Sequence, residues 1–241
     1  MVITKKAIEN QIYIDKIGSL IHELDIDFKD ISNYILAFIH RSIVNEKPDF
    51  APEHNERLEF LGDAVLELVV TSNLFSDYPF KTEGELTDIR SAIVRGRNLS
   101  NVAKKLNFSE YLLLGKGEEK SGGRDNDYLL ANVVEAVIGA IYVDLGFIEA
   151  KNFIERHIYP VVREVVENNL TKDYKTTIQE LAQANFDVTP TYQVLEEIGL
   201  DHDKIFTVGI YFGDDLKGTG KGSSKKKAQE QAAYDAYLKI K

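Results

Sequence analysis

The chain has 241 residues, 44% of them apolar and 28% charged, which is ordinary for a globular protein and enough for one large core or two unequal domains. Its net charge of −10 argues against nucleic acid when taken alone, although local basic clusters and carboxylate-built sites weaken that exclusion. There is no Cys, which rules out disulfides and thiolate metal ligands; the N-terminus lacks a leader-like apolar core and no stretch is expected to reach membrane-spanning length, so the expected location is the cytoplasm.

Taken in order, Ile17, Leu20, Ile21 and Leu24 recur at three and four, and Tyr34, Ile35, Phe38 and Ile39 follow after a break. Residues 16–42 therefore read as two helices, the second closed by His40-Arg41-Ser42. His40 suits a ligand or a base, but a capping or core-edge histidine is the commoner outcome. Pro48 and Pro52 mark residues 45–54 as a loop.

The next stretch, Asn55–Val70, is unusual because its carboxylates share one face. At about 100° per residue, Glu56, Glu59, Asp63 and Glu67 fall within an arc of roughly 80°. Most of the remaining circumference is apolar, and Gly62 leaves a gap where another backbone can approach. A solvated helix shows the opposite proportions, so the spacing predicts a buried helix with an acidic seam. Buried carboxylates are costly unless paired or metal-bound, so the seam calls for a cation; the alternative is a surface helix with ordinary Glu residues.

Residues 75–84 read as a turn with a Thr82/Glu85 capping box. Helical spacing resumes over 85–103, with Glu83 just ahead of it as either a capping acid or a site acid. Arg90, Arg95 and Arg97 are expected to divide between phosphate contacts and ion pairs. The glycine-rich, charged run 114–126 is expected to be loop, and it does not contain the GxxxxGK[ST] pattern of a phosphate-cradling P-loop. Residues 128–144 form a helix that is apolar nearly all round, its central polar pair Asn132 and Glu135 sharing a face with Gly139. That pair must meet something polar, and the acidic seam is the obvious partner. Glu59, Asp63, Asn132 and Glu135 then offer an all-oxygen donor set suited to Mg²⁺ or Mn²⁺. Zinc fits poorly without His or Cys nearby, and the Glu-x-x-His pairs of di-iron bundles are absent. An amphipathic helix over 148–166 completes an all-α unit.

A polar linker near 168–175 precedes a change of character. A helix over 176–184, strands at 192–198 and 206–212, a weak third strand at 216–220, a glycine turn at 218–222 and a helix over 225–240 capped by Ser223 or Ser224 give the order αβββα. Lys221, Lys225, Lys226 and Lys227 crowd the last helix's N-terminus, where cations oppose the helix dipole. They read either as a phosphate grip, aided by free backbone N–H groups, or as a solvated charge run.

At this point the chain resembles bacterial ribonuclease III, from about residue 16 onward. NERLEFLGDAVLEL at 55–68, HRS at 40–42, EGELTDIRSAIVRGRNL at 83–99, LGKGEEKSGG at 114–123 and the helix around Glu135 follow the family's order and spacing. KTTIQE at 175–180, the Gly-Leu-Asp-His-Asp loop at 199–203 and GTGKGSSKKKA at 218–228 resemble a double-stranded RNA-binding domain. The resemblance implies an all-α endonuclease domain over 1–168, a linker at 169–174 and an α+β RNA-binding domain over 175–241. It also implies a homodimer that cuts both strands of duplex RNA to 5′-phosphate and 3′-hydroxyl ends in rRNA-precursor and mRNA processing. By position, Glu59, Asn132 and Glu135 correspond to metal ligands, Asp63 to an essential catalytic acid, Glu56 and Glu83 to acids nearer the rim, and Phe60 to a residue packing across the dimer interface. Gln179 and Glu180 match minor-groove contacts, His202 lies in the loop entering the next minor groove, and Lys225, Lys226 and Lys227 match the phosphate-bridging lysines.

One position departs. Where the family usually has Asp, this chain has Asn132, whose carbonyl can ligate a hard cation without contributing charge. It is either a working neutral ligand, an introduced inactivating replacement, or the mark of a duplex-RNA binder with weakened or lost cleavage.

Overall fold

The structure is a computed structural model and describes residues 11–47, 53–167, 174–199 and 204–240. The chain divides into two compact units, Met1–Thr171 and Lys172–Lys241.

The first unit is helical. Its elements are α1 (Gln11–Glu23), α2 (Ile31–Ala37), α3 (Arg41–Glu46), α4 (Glu56–Asp77), α5 (Glu83–Ile93), α6 (Gly96–Lys105), α7 (Lys116–Lys120), α8 (Asp127–Leu145), α9 (Phe147–His157) and α10 (Val162–Glu167). The centre is α8, which packs against α4, α6, α2 and α9. By length and composition α8 could cross a membrane, contrary to expectation, but most of its apolar window is buried inside the bundle, so its greasiness is that of a core helix. Asn126 caps its start by accepting from the Tyr128 N–H, and Gly146, at φ 88°, ends it in a conformation that favours glycine.

Several boundaries differ from the sequence reading. His40-Arg41-Ser42 does not close a helix: α2 stops at Ala37, and His40 is the N-cap of α3. That places Asn45 and Glu46 in a helix rather than a loop. Residues 85–103 are two helices broken at Val94–Arg95, and Glu83 lies inside the first turn of α5 rather than ahead of it. The capping box is present: the Glu85 N–H donates to Thr82 Oγ1 and the Thr82 N–H to Glu85 Oε2. The Thr82 N–H first, then the Thr82 hydroxyl and Lys81, all donating to the Glu85 carboxylate, hold it down at about 2. The glycine-rich run 114–126 contains α7 and a 3₁₀ turn at Gly123–Asp125. Arg124 organises it by donating to the Ser109 and Leu112 carbonyls and to Glu119. The expected single helix over 148–166 is α9 and α10 with a 3₁₀ turn between them.

The second unit runs α11 (Tyr174–Phe186), β1 (Thr191–Ile198), β2 (Ile205–Phe212), β3 (Asp215–Gly222) and α12 (Lys225–Ile240), an antiparallel sheet in the order β1-β2-β3. The alternation in β2 puts Val208, Ile210 and Phe212 in the core with Ile178, Ala182, Ala228, Ala232, Ala233 and Ala236. Residues 218–222 are strand and not turn. A Cβ on Gly220 would lie 2.2 Å from the Ala232 N and 2.4 Å from the Ala228 O, so β3 uses its glycines to lay backbone on the alanine face of α12. Ser224 supplies the cap of α12, accepting from the Lys227 N–H.

Candidate active site

The acidic helix is fixed at its start by Asn55, which is buried and donates its side-chain amide to the Ala37 carbonyl and its backbone N–H to the Ile39 carbonyl. Glu56 and Glu59 in its first turn complement the helix dipole. The decisive contact is between α4 and α8. A Cβ built on Gly62 would stand 1.8 Å from the Glu135 carbonyl oxygen, and one on Gly139 would stand 2.1 Å from that of Leu58. Backbone meets backbone at two reciprocal glycines, and the carboxylates one turn away are forced face to face.

Glu59, Asp63, Asn132 and Glu135 are brought together. Burial raises the Glu59 carboxyl first, with Glu56 and Asp63 adding to it and the neighbouring Asn132 side chain opposing them. Glu135 is pushed up to about 8, by burial first and then by Asp63 and Glu59. Such a concentration of negative charge lacks a protein cation among the causes of the Glu135 shift, which is the electrostatic condition a metal ion relieves. Among the described residues, no three His, Asp or Glu side chains stand close enough together to hold an ion as they are. Ion binding therefore involves side-chain adjustment, which Asp63, exposed at the edge, is free to make. The donor types fit: three carboxylates and an amide oxygen are hard ligands for Mg²⁺ or Mn²⁺.

The other expected acids are placed differently. Glu67, one of the four on the seam, leaves the cluster to pair with Arg90 at 3.2 Å. Arg90 also donates to Thr71 Oγ1 and so ties α5 to α4, a structural role. Glu56 is half-exposed and lies 3.5 Å from Arg41 and 3.7 Å from His54. Glu83 is exposed and accepts from Thr87 Oγ1; no contact joins it to the cluster. The expectation of a helix buried nearly all round fails on one side. Phe60 is 80% and Leu68 57% exposed, and Ala64 between them is exposed too. This apolar i, i+4, i+8 stripe is left uncovered because α4 packs on α8, α9 and α5 from the other side.

A cavity of about 260 Å³ opens beside the cluster, lined by His40, Arg41, Asn55, Glu56, Glu59, Tyr128 and Asn132 among others. Sequence reading did not assign Arg41 or Tyr128 to a site, and their only signal was the HRS run and a helix start.

In the second unit Gln179 and Glu180 are exposed on α11. Lys225 pairs with Glu197 at 3.1 Å and sits over the Phe206 ring, and Lys227 Nζ donates to Ser223 Oγ. Lys225, Lys226 and Lys227 remain exposed. His202 lies outside the described residues.

Comparison with known proteins agrees with this architecture. Residues 30–162 match the model of the family described as Ribonuclease-III-like, and residues 174–240 the double-stranded RNA binding motif. Ribonuclease 3 of Borreliella burgdorferi is 42% identical over 218 residues, 90% of this chain and 89% of that one. Ribonuclease 3 of Streptococcus gordonii is 43% identical over 234 residues, 97% of each chain. The nuclease domain of the ribonuclease III from Campylobacter jejuni, in a structure described by flexibility in a region involved in dimer formation, superposes with a TM-score of 0.55 at 38% identity. It covers 60% of this chain and 96% of that one. With a helical unit built around an acidic helix and an apolar one apposed at two glycines, followed in the chain by an αβββα unit, and matched along nearly its whole length, the chain belongs to the ribonuclease III family.

Proposed function

We propose that the protein is a divalent-metal-dependent endoribonuclease that hydrolyses phosphodiester bonds in duplex RNA to 5′-phosphate and 3′-hydroxyl ends. The observation that carries this is the meeting of Glu59, Asp63 and Glu135 across the Gly62–Gly139 contact, with Glu135 pushed up to about 8. Glu59, Glu135 and the Asn132 carbonyl would hold Mg²⁺ or Mn²⁺. A cation there supplies Lewis acidity, activating water at neutral pH and offsetting charge on the phosphate. Asp63, exposed at the rim, would orient water and accept its proton, and Glu56 would bias the rim toward cations, with Glu83 acting only from outside the cluster. The exposed Phe60 stripe would be covered by a second copy of the chain, completing a homodimer with two cutting sites. In this reading the protein works in the cytoplasm on rRNA precursors and mRNA.

The second unit supplies grip. Gln179 and Glu180 would meet one minor groove, His202 the next, and Lys225, Lys226 and Lys227 the phosphates between them. Replacing the three lysines by Ala weakens duplex binding and lowers the salt slope by about one for each phosphate left without its lysine. Binding measured across a salt series checks this, and an unchanged slope removes the lysines from the interface.

The test of the activity is a metal titration of duplex-RNA cleavage with this chain and with Asn132→Asp. Asn132 stands beside Glu59 and holds its carboxyl down somewhat, but it brings no charge to an ion. The Asp form restores a charge and should need about tenfold less metal for half-maximal cleavage, the scale on which changes around a metal move its affinity. Tight duplex binding with no cleavage at any Mg²⁺ or Mn²⁺ concentration would replace this reading with that of a duplex-RNA-binding protein.

A further inference from the structure

The cavity beside the acidic cluster is lined by Glu56, Glu59 and Asn132, which the reading above uses, and by His40, to which it gives no task. Its ring is fixed in one tautomer. Nδ1 accepts from the Ser42 backbone N–H at 3.3 Å, and because that group can only donate, Nδ1 carries no proton. Ser42 Oγ lies 2.8 Å from the same nitrogen and itself accepts from the Gly115 N–H at 2.8 Å. The proton therefore resides on Nε2. Both contacts come from Ser42 of α3, whose hydroxyl is itself tied to the Gly115 N–H ahead of α7.

Capping α3 uses Nδ1 alone. Nε2–H has no hydrogen-bond partner among the described residues, although the ring is only partly exposed and its cavity is shared with Glu56 and Glu59. A neutral, oriented donor suits a place where a polyanion must approach beside carboxylates and a cation: it attracts an oxygen without repelling the metal. Burial lowers the tendency of the ring to protonate, which agrees with a donor that stays neutral.

We infer that His40 is a substrate-contact residue of the nuclease site, its Nε2–H donating to a backbone oxygen of the RNA, either a phosphate oxygen or a 2′-hydroxyl. This rests on the reading that the site cuts duplex RNA.

Two variants of the full chain separate this role from capping. His40→Asn puts a good cap acceptor in the place of Nδ1 and deletes the distal donor. His40→Gln reaches the position of Nε2 with an N–H but caps poorly. His40→Asn should melt close to the parent and lose about tenfold in kcat/KM on a defined duplex RNA at saturating Mg²⁺, the loss expected for one hydrogen bond to a charged acceptor. His40→Gln should melt lower yet retain more kcat/KM than His40→Asn. The reverse ranking, or His40→Asn cutting like the parent, overturns the assignment and leaves His40 a cap. Repeating the pair on duplexes with 2′-deoxy nucleotides at the cut site names the acceptor: the loss vanishes if it is the 2′-hydroxyl and persists if it is a phosphate oxygen. A parent chain that cuts no duplex RNA overturns the function as well, whereas an active parent with the wrong ranking overturns this inference alone.

Discussion

Replacing Glu135 by Gln lowers the rate of duplex-RNA cleavage by about 10³-fold or more, the scale on which removing one preorganised electrostatic group acts at a reaction centre. Binding of the duplex should change little, because the contacts proposed for grip lie in the second unit. The side chains are nearly isosteric, so the loss reports charge and not shape. The same variant has a second signature. Glu135 has its folded carboxyl raised to about 8 from an ordinary 4.5, because burial and the neighbours Asp63 and Glu59 disfavour its charge. With a folded value above the unfolded one, the native state binds the proton more tightly. The metal-free protein should therefore lose stability as pH rises from about 4.5 toward 8, a loss that is absent below that window and complete above it. Glu135→Gln should flatten the trend. Mg²⁺ should offset it in the parent, more strongly at pH 8 than at pH 6, since ligands must be ionised. Melting curves across pH with and without Mg²⁺ check all three statements, and a parent whose stability is flat between pH 5 and 8 would show that Glu135 is not under this strain.

Gly62→Ala should destabilise the helical unit by about 3 kcal/mol or more, at the upper end of what overpacking costs. The added methyl would fall 1.8 Å from the Glu135 carbonyl oxygen, 2.7 Å from its carbon and 2.8 Å from the Gly139 nitrogen. These are backbone atoms of a buried helix, so no side chain can step aside. Relief requires α4 and α8 to separate, which moves Glu59 and Asp63 away from Asn132 and Glu135. Any folded fraction should therefore cleave poorly too, since placement errors of that size are costly. Gly139→Ala meets the Leu58 carbonyl at 2.1 Å and should behave alike. Gly84→Ala is the control. It lies in the first turn of α5 with nothing within 4 Å of the added carbon, and should be neutral or gain a few tenths to about 1 kcal/mol from a less flexible unfolded chain. Calorimetry on the three variants decides the matter: a Gly62→Ala that melts like Gly84→Ala would mean that the helices are not in backbone contact.

The legible features were those that periodicity and residue type encode locally. The acidic seam follows from helical spacing, and the two glycines mark backbone approach because only the loss of Cβ permits it. The greasy helix with Asn132 and Glu135 had one polar partner available, and Val208, Ile210 and Phe212 point inward because a strand alternates. The short helices were harder to read. The six residues of α3 carry too little pattern to announce a helix, so HRS reads as the end of one helix although it opens another. The strand β3 reads only as a weak strand over 216–220, and its end as a turn, because its inward positions are glycines without the apolar side chains that signal a strand.

The sequence alone determined the family, the two units, and the polar set Glu59, Asp63, Asn132 and Glu135 for which we propose a cation. Those follow from local spacing and from motif order. Tertiary structure decided which carboxylates stay in the cluster, because the cation that removes Glu67 arrives from another helix, Arg90 of α5, while Glu56 stays beside Glu59 with Arg41 at its outer side. It also decided how far Glu135 is strained, since burial and the approach of a second helix are not properties of one helix's sequence. And it put His40 in one cavity with Glu56 and Glu59, with a proton whose position is set by the Ser42 N–H.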